Sequence, residues 1–354
     1  MNLAGTDIPT NAEARTRPSA PGCCPACGAS VEGAPEETFH GAFLFRCAAC
    51  DLSFWHPARM AGASWYERAY QGRDETEMPL EPGHKFFLSD TRAPKRGKLL
   101  DIGCGVGNFL AAARRQGFDV TGLEFNRNAV EFARNHYGLD RVFAARPEQY
   151  WQKHSGETFD VVTFFEVLEH QEDPRSFLEA AKRFVSDSGF IALSVPNAER
   201  WRKGIEALDY PPNHLTRWSP RALRNHLEAN GFKILTMRQE PLGVSRAAQV
   251  LSSRLRTGLV SVIAGEQPPM LADLAEMRPT EMEETMKRLE EASRHRLASR
   301  LARMKNGMLW PVALLMLPFL RLRGCMGLYL YCLAQKQAAA EPFFPLRIAG
   351  EMHV

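Results

Sequence analysis

The chain has 354 residues, of which 45% are apolar and 24% charged, with a formal net charge of +3. That length can bury a full α/β core and still carry one or two smaller modules, while the near-neutral charge gives no argument for a nucleic-acid partner. The opening M-N-L-A-G-T-D-I-P-T lacks the basic start and apolar run of a secretory signal, so a cytoplasmic location is expected. The eight cysteines then read as metal ligands or buried thiols rather than disulfides.

Residues 1–21 are rich in Pro, Ala, Thr and charge without periodicity and read as a disordered lead-in. Residues 22–55 form the first module. Cys24-Pro-Ala-Cys27 and Cys47-Ala-Ala-Cys50 are two C-x-x-C knuckles bracketing the short strand F-H-G-A-F-L-F-R, the spacing that gathers four thiolates around a structural zinc. Redox C-x-x-C motifs compete with that reading, but no βαβ context surrounds these two. Cys23 could replace Cys24, although Cys24 has the better spacing. A ribbon this small cannot bury a core of its own, so the metal would supply much of its folding free energy. Residues 56–96 read as a linker and partial lid, in which Trp65, Tyr66 and Tyr70 share one side of a helix and pack on the main domain or line the substrate pocket.

From Gly97 to Glu240 strands and helices alternate. Strands are expected at about 98–102, 119–124, 142–145, 159–165 and 189–195, with helices near 107–116, 126–136 and 174–185, a doubly wound parallel sheet. Gly231-Phe-Lys-Ile-Leu-Thr-Met adds a sixth strand. The segment K-L-L-D-I-G-C-G-V-G-N-F, from Lys98 to Phe109, is a strand ending at Asp101, a loop with Gly103, Gly105 and Gly107, and a helix start. Such a loop lets a ligand approach the backbone, and Glu124, about 20 residues on at the next strand end, can take both hydroxyls of a ribose. The glycine spacing differs from the G-x-G-x-x-G that seats a pyrophosphate on a helix N-terminus.

With D-I-G-C-G-V-G, Glu124 and F-D-V-V-T-F-F-E-V-L-E-H, residues 97–240 resemble the class I S-adenosylmethionine (SAM)-dependent methyltransferases. The resemblance implies a Rossmann-like, seven-stranded doubly wound sheet with SAM held by Asp101, Gly103, Gly105, Gly107, Glu124 and Phe165. Many bacterial members also begin with a zinc ribbon. The third strand departs from the pattern: it reads V-F-A-A-R-P-E where an Asp often meets the adenine amine, leaving Glu148, a backbone group or packing to hold the base.

After the fourth strand, Glu166, Glu169 and His170 stand at i, i+3 and i+4, on one side of a helical turn. His214 follows in P-P-N-H-L-T-R-W, before a helix capped by Ser219 with Pro220 at its first position, and returns over the same pocket. In most proteins of this fold the L-E-H element positions the cofactor without metal. E-x-x-E-H with a later H-x-x-x-W, however, resembles the metal-dependent small-RNA 2'-O-methyltransferases, and E-x-x-E-H alone resembles the ubiquinone-pathway O-methyltransferases. That resemblance implies Glu166, Glu169, His170 and His214 as ligands of a catalytic Mg, Mn or Zn ion. Without an ion, His214 or His170 is the candidate general base.

Residues 241–325 read as a helical cap inserted before the last strand. Its long helix starts at a Thr280–Glu283 capping box and carries the stripe Met282, Met286, Leu289, Leu297, Leu301 and Met304. The apolar run from Met308 to Leu320 rises about 20 Å as a helix, short of a ~30 Å bilayer core, and Pro318 is expected to interrupt it. Two readings stand: a buried helix beneath the last strand, or an arginine-flanked interfacial helix over 308–323 that touches the inner face of the membrane. Residues 326–337 are the last, antiparallel strand and 338–354 a tail.

The sum is a SAM-dependent methyltransferase acting on a hydroxyl of a small-molecule, glycan or lipid-linked acceptor. Alternatives are an RNA or protein methyltransferase using the ribbon for recognition, although the ribbon lacks a dense basic and aromatic face, and a non-catalytic SAM-binding scaffold.

Overall fold

A computed structural model describes residues 21–39, 41–58, 77–200, 209–248, 251 and 296–337. The expectations for residues 1–20, for Trp65, Tyr66 and Tyr70, for the start of the long cap helix at Thr280, and for the tail lie outside the described residues.

The first C-x-x-C knuckle precedes, and the second joins β2 to β3 within, a small antiparallel sheet of β1 (Glu37–Phe39), β2 (Ala42–Arg46) and β3 (Ser53–His56). Helix α1 (Pro82–Ser89) then leads into the alternating part of the chain. There β4 (Gly97–Ile102), α2 (Asn108–Arg115), β5 (Phe118–Glu124), α3 (Arg127–Tyr137), β6 (Val142–Ala144), α4 (Pro147–Lys153), β7 (Phe159–Phe165), α5 (Pro174–Arg183) and β8 (Val185–Pro196) follow in turn. The two-residue strand β9 (Thr216–Arg217), α6 (Pro220–Ala229), β10 (Phe232–Pro241), α7 (Arg296–Leu322) and β11 (Met326–Lys336) complete the described elements.

Local chemistry sets most of these boundaries. The Asn126 side chain accepts from the amides of Asn128 and Ala129 at the start of α3, and Gly138 ends that helix in the left-handed region at φ 62°. Asp173 and Ser219 cap α5 and α6, each followed by Pro at the first helical position. Residues 187–189 form an irregularity inside β8, whose pairing with β7 skips from Val185 to Phe190. Helix α4 was not foreseen; Pro147 starts it directly after the short third strand.

The large sheet has the order β10-β11-β8-β7-β4-β5-β6, with β11 antiparallel to both neighbours and the β4–β8 pairings parallel. Strands β4 and β7 lie side by side although a pair of strand–helix units separates them in sequence, so the order reverses between them and a crevice opens at their carboxyl ends. Both faces are covered. Leu100, Val162, Phe164 and Leu193 pack under α5 and α6, while Leu99, Val161, Phe118 and Val120 pack under α2 and α3. Burial of each such side chain contributes about 1.5–3 kcal/mol, which is why the continuous apolar runs hold the sheet centre.

The ribbon shares this core. Val31, Phe45, Leu52 and Phe54 belong to the same buried cluster as Trp218, Ala222 and Leu223. Strand β9 extends the ribbon sheet to the order β1-β2-β3-β9, with Ser53 opposite Arg217 and Phe54 opposite Thr216.

Helix α7 is divided between the two readings of its apolar run. Ala313, Leu317 and Leu320 are buried against Leu242, Ala247 and Ala248, whereas Leu315 and Leu322 are 82% and 87% exposed. The helix continues through Pro311 and also through Pro318, the position where an interruption was expected. No helix among the described residues is long and apolar enough to cross a membrane.

Candidate active site

The crevice at the carboxyl ends of β4, β5 and β7 is a cavity of about 620 Å³ that the sheet reversal leaves open. Its two ends differ in chemistry. At one end the loop after β4 is tied to β5: the amides of Gly103 and Cys104 both donate to the Leu123 carbonyl, at 2.7 and 3.1 Å. Glu124 accepts from the amide of Gly105 at 3.0 Å and of Asn126 at 2.9 Å, so its carboxylate holds the loop as well as facing the cavity. Gly105 lies at φ 51°, and a Cβ built there meets nothing within 4 Å; a larger side chain would be strained and would occupy ligand space.

Asp101 is buried beneath this loop and accepts from the Thr163 hydroxyl at 2.6 Å. Burial pushes its carboxyl up to about 8 against the Thr163 hydrogen bond, with the Glu124 charge adding to the rise. Phe165 is buried against Phe109, ring centroids 4.9 Å apart. Ala145 and Arg146, just after β6, and Glu148 in the first turn of α4 line the wall, and Phe125, 43% exposed, faces the same cavity. Neither Phe125 nor His84 of α1 was singled out from sequence; an apolar residue after a strand-end Glu and a histidine in a linker carry no pattern of their own. His84 accepts from the Glu81 amide through Nδ1 at 3.2 Å and stacks on Phe109. Burial, with Lys85 nearby, lowers it to about 4, which keeps it neutral.

At the other end Glu169, His170 and His214 converge, with one ligand atom from each within 4.8 Å of the others. The turn Leu168–His170 is a 3-10 helix, so Glu169 and His170 face the cavity together. His170 Nδ1 lies 2.6 Å from the Asn213 carbonyl oxygen, which only accepts; the proton therefore sits on Nδ1 and the Nε2 lone pair faces Glu169 Oε1 at 3.8 Å. His214 repeats the pattern, with Nδ1 3.4 Å from Asp209 Oδ1 and Nε2 4.0 Å from Glu169 Oε1. Burial, with His214 beside it, takes His170 down to about 3 against the Asn213 hydrogen bond, so its ring is neutral.

Glu169 is 1% exposed, and neither of its oxygens has an N–H or hydroxyl donor among the described residues. Burial and the neighbouring Glu166 charge raise its carboxyl well above the usual range. A buried carboxylate left without a donor is costly, and a cation between it and two imidazole lone pairs removes that cost. Ligand bonds of about 2.0–2.2 Å place donor atoms about 3.3–3.6 Å apart, so the Glu169–imidazole distances of 3.8 and 4.0 Å would have to shorten for the set to hold a divalent ion. Histidines whose second nitrogen is fixed by a carbonyl or a carboxylate are the usual form of metal-ligating imidazole.

Glu166 borders Glu169 but is not one of the three clustered ligand residues. Its backbone lies at φ 54°, outside the helical turn, and its carboxylate accepts from the Ser194 hydroxyl at 2.7 Å. Burial and the Glu81 charge raise it to about 8. The i, i+3 spacing assumed a regular helical turn, and the left-handed residue at its start breaks that assumption. Asp209 and Asn213, which hold the two imidazoles, were not singled out; only the fold brings them beside their partners.

The four ribbon thiols are also gathered. Cys24 and Cys50 sulfurs lie 3.6 Å apart, as do those of Cys27 and Cys47, and all four fall within 4.8 Å. A tetrahedral zinc with bonds of about 2.3 Å separates its sulfurs by about 3.8 Å, so the set fits one ion. The Cys24–Cys50 contact lowers the Cys24 thiol and raises that of Cys50, as for two sulfurs that share one proton. Cys23 lies outside the cluster and is exposed.

A family model described as "Methyltransferase domain" matches residues 70–237, just under half of the chain. The ubiquinone biosynthesis O-methyltransferase of Cronobacter sakazakii is 34% identical over 149 residues, which cover 38% of this chain and 61% of that one. The protein of the same description from Thiobacillus denitrificans is 40% identical over 114 residues, 30% of this chain and 48% of its own. The chain thus spans about half the length of several curated relatives it matches. Among solved structures, a putative sarcosine dimethylglycine methyltransferase from Galdieria sulphuraria is 15% identical, covering 78% of this chain and 98% of that chain at a TM-score of 0.43. That score carries no argument, and the fold rests on the sheet order described above. Residues 70–237 thus match a methyltransferase-domain model, and their strands join β11, from 326–336, in the Rossmann-like seven-stranded sheet.

Proposed function

We propose that this protein transfers a methyl group from SAM to a hydroxyl of a small-molecule, glycan or lipid-linked acceptor. The observation that carries the reading is the two-ended cavity: a glycine loop braced by Glu124 at one end and the Glu169–His170–His214 cluster at the other. SAM supplies an activated methyl on a sulfonium, so what remains for the protein is orientation, exclusion of water and removal of the acceptor proton.

In this reading Glu124 takes the ribose hydroxyls, Gly103, Gly105 and Gly107 admit the methionine portion, and Asp101 braces the loop from below. Phe125 and the wall at Ala145–Glu148 pack the adenine, whose amine is given no side-chain partner. A divalent Mg, Mn or Zn ion held by Glu169, His170 and His214, with Glu166 nearby, would lower the pKa of an acceptor hydroxyl. The His214 Nε2 lone pair, kept toward the cavity by Asp209 at Nδ1, is the proton acceptor of choice if no ion binds. The ribbon cysteines Cys24, Cys27, Cys47 and Cys50 hold a structural zinc.

The curated relatives are named for ubiquinone biosynthesis, which supports a small hydroxylated acceptor. The exposed face of α7, with Trp310, Leu315, Phe319 and Leu322, supports peripheral contact of an otherwise cytoplasmic protein with the inner face of the membrane. Incubation of purified protein with methyl-labelled SAM and fractionated lysate tests the reading. Label is expected in a low-molecular-weight or lipid-soluble product stable to base, as an ether is. Label confined to RNA or protein, or SAM binding without transfer to any fraction, would overturn it.

A further inference from the structure

We propose that the N-terminal ribbon is the positioning module of the acceptor end of the site: it clamps residues 209–217 so that Asp209 holds the His214 ring with Nε2 toward Glu169. The proposal rests on the assignment of that end as the acceptor site. It gives the ribbon a role that the matched region, which begins at residue 70, does not cover.

The segment that carries His214 has little structure of its own; its one strand is β9, and that strand belongs to the ribbon sheet. A row of backbone hydrogen bonds runs from the ribbon into the site. The Trp55 amide donates to the Leu215 carbonyl at 2.9 Å, and the Leu215 amide donates to the Glu169 carbonyl at 2.8 Å. Both ends of the segment are gripped by side chains as well. The Arg217 guanidinium lies 5.2 Å from the Trp55 ring and 5.4 Å from the Tyr210 ring, and pairs with Glu37 at 2.6 Å. Tyr210 in turn stacks on Phe39, ring centroids 4.4 Å apart. Strands β1 and β3 thus hold both sides of the loop on which Asn213 and His214 stand.

Asp209, next to Tyr210, carries the clamp to the imidazole. It is 4% exposed, pairs with the buried Arg200 through one oxygen and faces His214 Nδ1 through the other. Arg200 is anchored by donating to the Asn197 carbonyl at the end of β8. The aromatic and arginine groups that a recognition module would display are spent internally: Trp55 is fully buried and the Arg217 side chain is 13% exposed.

The test uses the full-length protein with amide hydrogen exchange read by mass spectrometry, in Arg217→Ala and in the milder Glu37→Gln. Exchange across 209–217 is expected to rise about tenfold or more in Arg217→Ala, and less in Glu37→Gln, while β4 and β5 keep their protection. Affinity for S-adenosylhomocysteine should stay within about threefold and Mn²⁺ affinity should fall about tenfold, because only the acceptor end is loosened. Arg217→Lys, which keeps a charge but not the planar stack, should recover part of the protection. Unchanged exchange across 209–217 in Arg217→Ala would overturn the proposal, and so would a loss spread evenly over the large sheet. Wild-type protein that takes up no Mn²⁺ but shows the expected exchange pattern would reject the metal reading and support the clamp.

Discussion

The two ends of the cavity are held by opposite kinds of contact. The glycine loop is braced within one continuous stretch, by hydrogen bonds from Gly103, Cys104 and Gly105 to Leu123 and Glu124 some 20 residues away. The acceptor end is assembled from the turn after β7, the loop before β9 and, beneath that loop, a ribbon whose paired residues lie more than 160 positions earlier. Local backbone contacts survive most single substitutions, whereas an end built from long-range side-chain contacts fails when any one partner is removed. The same protein is therefore expected to lose catalysis easily and cofactor binding reluctantly.

The largest effect is expected from the ribbon. Apparent zinc binding to four thiolates is worth about 10 kcal/mol or more, so Cys47→Ser should drop the zinc content from about one per chain toward zero. The comparison predicts that such protein still binds S-adenosylhomocysteine. Metal analysis combined with calorimetry checks both halves, and retained zinc would reject the ribbon assignment.

Removing a ligand at the acceptor end comes next. His214→Ala and Glu169→Gln should each lower turnover by about tenfold or more, at least ~1.4 kcal/mol of transition-state stabilisation, with SAM affinity little changed. Glu169→Gln carries a second, opposite sign. It removes a buried carboxylate that has no donor, so metal-free protein should gain thermal stability while losing the rise in Tm that Mn²⁺ gives the wild type. A chelator mild enough to spare the thiolate-bound zinc should mimic the loss of turnover reversibly.

Glu124→Ala sharpens the other side of the comparison. It removes the ribose partner and the acceptor of two backbone amides, and should cost about 1–3 kcal/mol in SAM binding measured by titration calorimetry. Unchanged affinity would sink the cofactor assignment.

The smallest expected effect concerns pH. Asp101 has a folded pKa of about 8 against an ordinary 3.8, so the native state keeps a proton that the unfolded chain gives up. Its contribution to stability is complete below pH 3.8 and is lost as the pH rises through 8. Asp101→Asn should flatten that part of the stability profile, and the Tm difference between variant and wild type should move in the variant's favour from pH 5 toward pH 8. A parallel pair of profiles would place Asp101 in a wetter setting than its burial implies.

Much of the cofactor end was legible beforehand because strand, glycine loop and strand-end Glu follow one another within a single supersecondary unit. The ribbon cysteines were legible for the same reason, each knuckle being four residues long. Where the reading ran short, a backbone or side-chain choice depended on distant partners. The i, i+3, i+4 spacing assumed one helical turn for Glu166, Glu169 and His170, but Glu166 has a left-handed backbone, and its carboxylate accepts from Ser194 of β8 while still bordering Glu169. Pro318 suggested a helix break, yet α7 runs on with Leu317 and Leu320 packed against residues 242–248.

By itself the sequence determined the alternation of strands and helices, the glycine loop with Glu124 and the pairing of the two thiol knuckles, since all of these follow from periodicity, backbone freedom and short spacings. Only the tertiary structure decided which residues hold the imidazoles and what the ribbon touches. Asp209 and Asn213 lie close to His214 in the chain, but their direction depends on a loop with no periodic pattern, and the pairing of β3 with β9 joins residues 53 and 217. Contacts that close so long a loop leave no local signature, because neither partner's preference for strand or turn reveals which distant segment it will meet.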